Sequence, residues 1–204
     1  SFLHPLFMLV VYTFVFSVVF KARWSSGGEE SKAQFAIVLF VGMIVHGFLA
    51  EVLTRAPTLI LNQVNYVKKV VFPLQILPVA TVGAALFHTL TSTLALIAVL
   101  FVLAGHPPWT ALLLPLVLAP LIVLSLGLAW LFAALGVFLR DINQSIGILT
   151  TTLLFVSPVF FPVSALPAQY QAVVMANPLT FIIEQSRAVL IWGQLPDWGG
   201  LAAY

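Results

Sequence analysis

The chain has 204 residues, 62% of them hydrophobic and only 7% charged, with a formal net charge of +2. A soluble domain is about 45–50% apolar and about 25% charged, so a water-soluble core is excluded and the surplus apolar surface has to face lipid. Eight basic and six acidic residues make no nucleic-acid footprint, and the absence of cysteine excludes disulfides and thiolate metal sites.

A spanning helix needs about 20 mainly apolar residues, and the chain offers such runs in order. Phe2 to Phe20 is the first predicted span, with Pro5 near its start, where proline is tolerated. Lys21, Arg23 and Trp24 mark an interface, and Ser25 to Lys32 is a polar turn. The second span runs from about Ala33 to Leu53, holds His46 and Glu51, and is closed by Arg55 and Pro57. The segment from Thr58 to Phe72 breaks the apolar pattern. Read as a helix, it puts Leu61, Val64, Val67 and Val71 on one face and Asn62, Asn65, Tyr66 and Lys69 opposite. It predicts a short amphipathic helix outside the bilayer, and Pro73 and Pro78 mark the return.

The third span covers about Gln75 to Leu103, long enough to tilt or to start outside the hydrocarbon. Gly105 to Trp109 is a tight turn. The fourth span runs from about Ala111 to Leu139, with Pro115 and Pro120 in its first half and Arg140-Asp141 at its end. The fifth runs from about Ile142 to Phe161. Pro167, Asn177-Pro178 and Gly193 then cut Val163 to Gly193 into two helices too short to span, with Asn177 as N-cap and Pro178 as first helical residue. Non-helical backbone at membrane depth needs cover from protein or water, so this pair reads as re-entrant or interfacial. Asp197 to Tyr204 would lead into a sixth span. The fold expected is all-α and polytopic: five transmembrane helices, a short amphipathic helix outside the bilayer between spans 2 and 3, and a re-entrant pair after span 5. Basic residues divide four against four between the two sides, so charge bias does not set the orientation.

Several chemistries are missing. No glycine precedes a lysine, so there is no Walker loop, and no Gly-x-Ser-x-Gly or His-Glu-x-x-His occurs. The two aspartates, Asp141 and Asp197, are far apart, and His4, His46, His88 and His106 lack ligand spacing, so no metal site is expected. The titratable groups inside the apolar stretches are almost only His46, His88, Glu51 and Glu184, which argues against an enzyme.

The remaining candidates each have a bland and a functional reading. Glu51 and Arg55, at i and i+4, form a local ion pair or part of a polar pathway. Lys68 and Lys69, beside Asn65 and Tyr66, hold anionic headgroups at about 1 kcal/mol each, or dock a soluble partner. Arg140 suits a helix C-terminus, and Asp141 caps the next helix or pairs with Arg140. His46 and His88 are each expected to make an interhelical hydrogen bond. Phe155, Phe160, Phe161 and Tyr170 form an interface belt, or stack on sugar faces along a path. Glu184 and Arg187, at i and i+3, pair with each other or shape a gate.

The order of residues adds a resemblance. Arg55-Ala-Pro-Thr-Leu-Ile-Leu61, Asn65-Tyr-Val-Lys-Lys-Val-Val-Phe-Pro-Leu-Gln-Ile-Leu-Pro78, Leu139-Arg-Asp-Ile142, Ser157-Pro-Val-Phe-Phe161 and Asn177-Pro-Leu-Thr180, followed by Arg187, occur in sequence. Together they resemble the permease subunits of type-2 ABC transporters that export polysaccharides, most of all lipopolysaccharide O-antigen exporters. The resemblance implies six spans with both termini cytoplasmic, in the bacterial inner membrane. It makes residues 1–204 a single transmembrane permease domain, truncated by an N-terminal interface helix and the sixth span. It implies ATPase coupling through Asn62, Asn65, Tyr66, Lys68 and Lys69, and a cytoplasmic loop at Arg140 and Asp141. A pathway or gate would involve Glu51, Arg55, Phe155, Phe160, Phe161, Tyr170, Glu184 and Arg187. The implied partners are a nucleotide-binding ATPase subunit carrying ATP and Mg, a second permease copy, membrane lipids and a lipid-linked glycan; this chain itself would bind no cofactor. Two departures stand out: relatives often carry Trp at the position of His46 and a charged residue at that of Gln75. The same fold exporting capsule, teichoic acid or a drug is one alternative, a membrane-embedded glycan-modifying enzyme another. A secondary transporter would predict an inverted repeat, and none is visible.

Overall fold

The computed structural model describes residues 11, 32–63, 73–139 and 141–204, and the regular structure among them is helical. The first predicted span, apart from residue 11, and the segment 64–72 lie outside the described residues. Three described stretches are long and apolar enough to cross a membrane: Gln34–Thr58, Ile76–Val102 and Trp109–Phe138.

Helix α1 (Lys32–Arg55) is the centre of the packing. It is apolar on nearly every face, as a helix surrounded by protein should be. Its apolar window is 61% buried, against 28% for each of the other two long helices, which leave most of their apolar surface uncovered by the described residues. In lipid, helices do not associate by hiding apolar area; close van der Waals fit and interhelical hydrogen bonds hold them. Val38, Leu39, Phe48 and Val52 supply the fit along α1.

Helix α2 (Ile76–Ala104) ends where Gly105, at φ 80°, returns its N–H to the carbonyl of Phe101 at 3.1 Å. A 3-10 turn, Trp109–Leu113, leads into α3 (Leu114–Phe138), whose Pro115 sits in the first turn, where its missing N–H costs nothing. Trp130 Nε1 of α3 donates to the Gln75 carbonyl at 3.1 Å and ties the start of α2 to α3.

Helix α4 (Ile142–Val156) is shorter than expected. The fifth span was predicted to reach Phe161, but the helix stops at Val156. Pro158 disfavours helical geometry at the residue before it, and Ser157 is extended at φ −82° and ψ 153°. At 15 residues, α4 falls below the length of a full crossing, and Ser157 to Pro162 is non-helical.

The cuts expected after it are present. Helices α5 (Ala168–Met175) and α6 (Pro178–Leu190) form a hairpin, with Pro167 before the first and Asn177 capping the second. Asn177 Oδ1 accepts from the Leu179 N–H at 3.0 Å, and its Nδ2 donates to Ser157 Oγ at 2.8 Å, fixing the turn to the end of α4. Helix α6 packs against both α1 and α3. Gly193, at φ 64°, turns the chain into α7 (Trp198–Ala203), capped by Asp197.

Candidate functional site

Three polar stations lie along α1. Near its C-terminal end, Glu51 accepts from Arg55 at 2.8 Å one turn later on the same helix. It also accepts from His88 Nδ1 on α2, at 2.8 and 3.1 Å to its two oxygens. Spacing predicts the Arg55 pairing; the His88 arm comes from the register of α1 against α2. The Arg55 and His88 side chains are half exposed and Glu51 is one-fifth exposed, so this cluster faces an open surface. Charged groups in a membrane protein avoid lipid, so such a surface suits water, a partner or a polar cargo.

At mid-length, His46 Nε2 donates to the Thr150 carbonyl of α4 at 3.0 Å. Both histidines therefore make the interhelical bonds expected of them.

At the N-terminal end stands Arg187 of α6, fully buried. Its Nη1 donates to Glu184 at 2.9 Å, as the i, i+3 spacing suggests. The other partners are long-range: Nε donates to the Val38 carbonyl of α1 and Nη2 to the Val159 carbonyl, both at 3.2 Å. Val159 lies in the non-helical stretch after α4, whose carbonyls no helix can satisfy. The planar guanidinium, with five donors, can serve three acceptors at once. Gly42 makes room for it: a Cβ there would lie 3.0 Å from Nη2 and 3.2 Å from Val159 Cα. Glycine eases this close approach, a role that sequence pattern alone did not disclose.

The aromatic group divides. Phe155 and Tyr170 are exposed, Phe161 is half-buried, and Phe160 is in the core. The rings of Phe155 and Phe160 are 5.8 Å apart, so the buried ring backs the exposed one.

Of the residues expected to couple to an ATPase, Asn62 is described, exposed in the 3-10 turn Leu61–Gln63. Asn65, Tyr66, Lys68 and Lys69 lie outside the described residues, as does Arg140. Asp141 occupies the N-cap position of α4, but its side chain makes no capping bond; its carbonyl accepts from Ser145 instead.

Comparison with known proteins gives the family. The ABC-2 type transporter family matches residues 1–191. The O-antigen export system permease protein RfbA of Myxococcus xanthus is 27% identical over 200 residues, which cover 97% of this chain and 74% of that protein. The protein of the same name from Klebsiella pneumoniae is 22% identical over 196 residues, covering 96% and 73%. The polysialic acid transport protein KpsM of Escherichia coli is 29% identical over 129 residues, covering 59% and 50%. With the family match running through almost the whole sequence, onto a helical scaffold of membrane-crossing length, the chain belongs to the ABC-2 type transporter family.

Proposed function

We propose that the chain is the membrane subunit of an ATP-driven exporter that moves lipid-linked O-antigen or a related polysaccharide across the bacterial inner membrane. The observation that carries this reading is its similarity to O-antigen export permeases over 97% and 96% of its length. Residues 1–204 act as one transmembrane domain of a six-span permease. Two copies enclose the path, and two nucleotide-binding subunits supply the energy, since the sequence has no Walker loop. ATP and Mg belong to those subunits.

In this reading the C-terminal end of α1 faces the cytoplasm. Asn62, Asn65, Tyr66, Lys68 and Lys69 dock the ATPase, with Arg140 and Asp141 on the same side. Glu51, Arg55 and His88 give the path its polar lining. The hairpin α5–α6 is re-entrant and gates the far side, where the exposed Phe155 and Tyr170 offer rings to sugar faces, with Phe161 beside them and Phe160 as backing. Glu184 and Arg187 hold that hairpin in place. Similarity to the polysialic acid transport protein favours capsule-type glycan as a second reading of the cargo.

The test is co-purification with an ATPase subunit, with crosslinking from Lys68 or Lys69, together with surface glycan in cells that depend on this permease. Restored surface glycan, and ATP hydrolysis only with the partner present, are expected. Hydrolysis by this chain alone would overturn the reading.

A further inference from the structure

The turn that ends α1 meets a neighbouring helix backbone to backbone. Ala56 and Pro57 are buried in a 3-10 turn, Ala56–Thr58, packed on α3 and touching α4. The turn is stiff. Proline fixes one backbone angle, the Leu59 N–H donates to the Ala56 carbonyl at 3.2 Å, and Thr58 Oγ1 donates to the Arg55 carbonyl at 3.2 Å. It bears on α3 at Gly136, which is itself buried. A Cβ on Gly136 would collide with the Pro57 carbonyl oxygen and lie 2.7 Å from both its carbonyl carbon and Cα, so the two backbones meet with no side chain between them.

Side chains at an interface absorb displacement by changing rotamer; backbone against backbone does not. The turn also leads directly into the segment assigned to ATPase docking. We propose that Gly136 is the positioning residue through which that segment moves α3: a bare bearing surface that carries a displacement of Pro57 into the fourth predicted span undiminished. Glu51, four residues before Arg55, carries the same displacement to α2 through His88. The inference rests on the exporter reading above.

The experiment compares Gly136→Ala with Gly127→Ala in the permease co-expressed and co-purified with its ATPase subunit. Gly127 is on the same helix, and a Cβ there would meet nothing within 4 Å. Two quantities are read: surface glycan in cells, and ATP hydrolysis by the purified complex. G136A is expected to lower surface glycan at least tenfold while hydrolysis stays within twofold of wild type, and G127A to change neither. A purely structural role would lower both together. If G136A fails to assemble with the ATPase, Pro57→Ala decides, because it loosens the turn and leaves Gly136 free of a Cβ. Lowered export with hydrolysis retained supports the proposal; both retained, or both lost, overturns it. Export by G136A at the wild-type level also overturns it. A wild-type chain that exports no glycan overturns the functional reading instead.

Discussion

The two ends of α1 are held by opposite means. In the N-terminal half a buried guanidinium reaches acceptors on α1, on α6 itself and on the stretch after α4. At the C-terminal end the Pro57 backbone rests on Gly136 with no intervening side chain. The first is a pin. Its bonds are directional and charge-assisted, and moving it leaves buried carbonyls and a charge without partners. The second is a bearing: a close backbone contact held by non-directional van der Waals packing. Glycine serves both ends, giving space to a side chain at Gly42 and to a backbone at Gly136.

The pin is the place to break this contrast most severely. Arg187→Leu removes the donors to Val38 and Val159 and leaves Glu184 without its cation, so a loss of about 3–5 kcal/mol is expected. Thermal unfolding of the detergent-solubilised protein, with protease sensitivity between residues 157 and 190, measures it. Arg187→Lys keeps the charge but not the fork, and should recover only part of the loss. A near-native melting temperature for the leucine variant would mean that the pin is not holding the hairpin.

Gly42→Ala acts on the same station more gently. The added methyl group crowds Nη2 and Val159, which need give by only a few tenths of an ångström, so about 1–3 kcal/mol is expected. The effect should shrink in an Arg187→Leu background, because the group being crowded is gone. Additive losses in that double-mutant cycle would separate Gly42 from the pin.

The smallest stability effect is expected at Glu51→Gln. Its partners are half exposed, so no more than about 1 kcal/mol is at stake. Export should nevertheless fall severalfold if the cluster lines the path. Unchanged transport by E51Q would remove it from that role and leave it a local tie between α1 and α2.

What could be read in the sequence was what local spacing dictates. The pairs Glu51–Arg55 and Glu184–Arg187 are one helical turn apart, and Asn177-Pro178 is a helix start whatever surrounds it. The cuts at Pro167 and Gly193 belong with these. The partners that define the stations are far away in sequence: His88 is 37 residues from Glu51, and Val38 is 149 from Arg187. Those contacts depend on the register of one helix against another, which no periodicity encodes. A trace of them was present all the same. Gly42 and Gly136 interrupt runs of bulky residues, and an isolated glycine inside a helix often marks a close approach. The far end of the helix begun at Ile142 differed for another reason. The apolar run through Phe161 suggested a longer helix, but Pro158 overrode it at Ser157.

That shortened helix has a consequence for how its end is held. Fifteen residues rise about 22 Å, against a hydrocarbon thickness of about 30 Å. The helix alone therefore falls short of that thickness. The chain goes on through Ser157 to Pro162 and the hairpin bonded to it, so a single helix gives way there to a cross-braced turn. The end of α4 is therefore held through Asn177 and Arg187 rather than by further turns of its own helix.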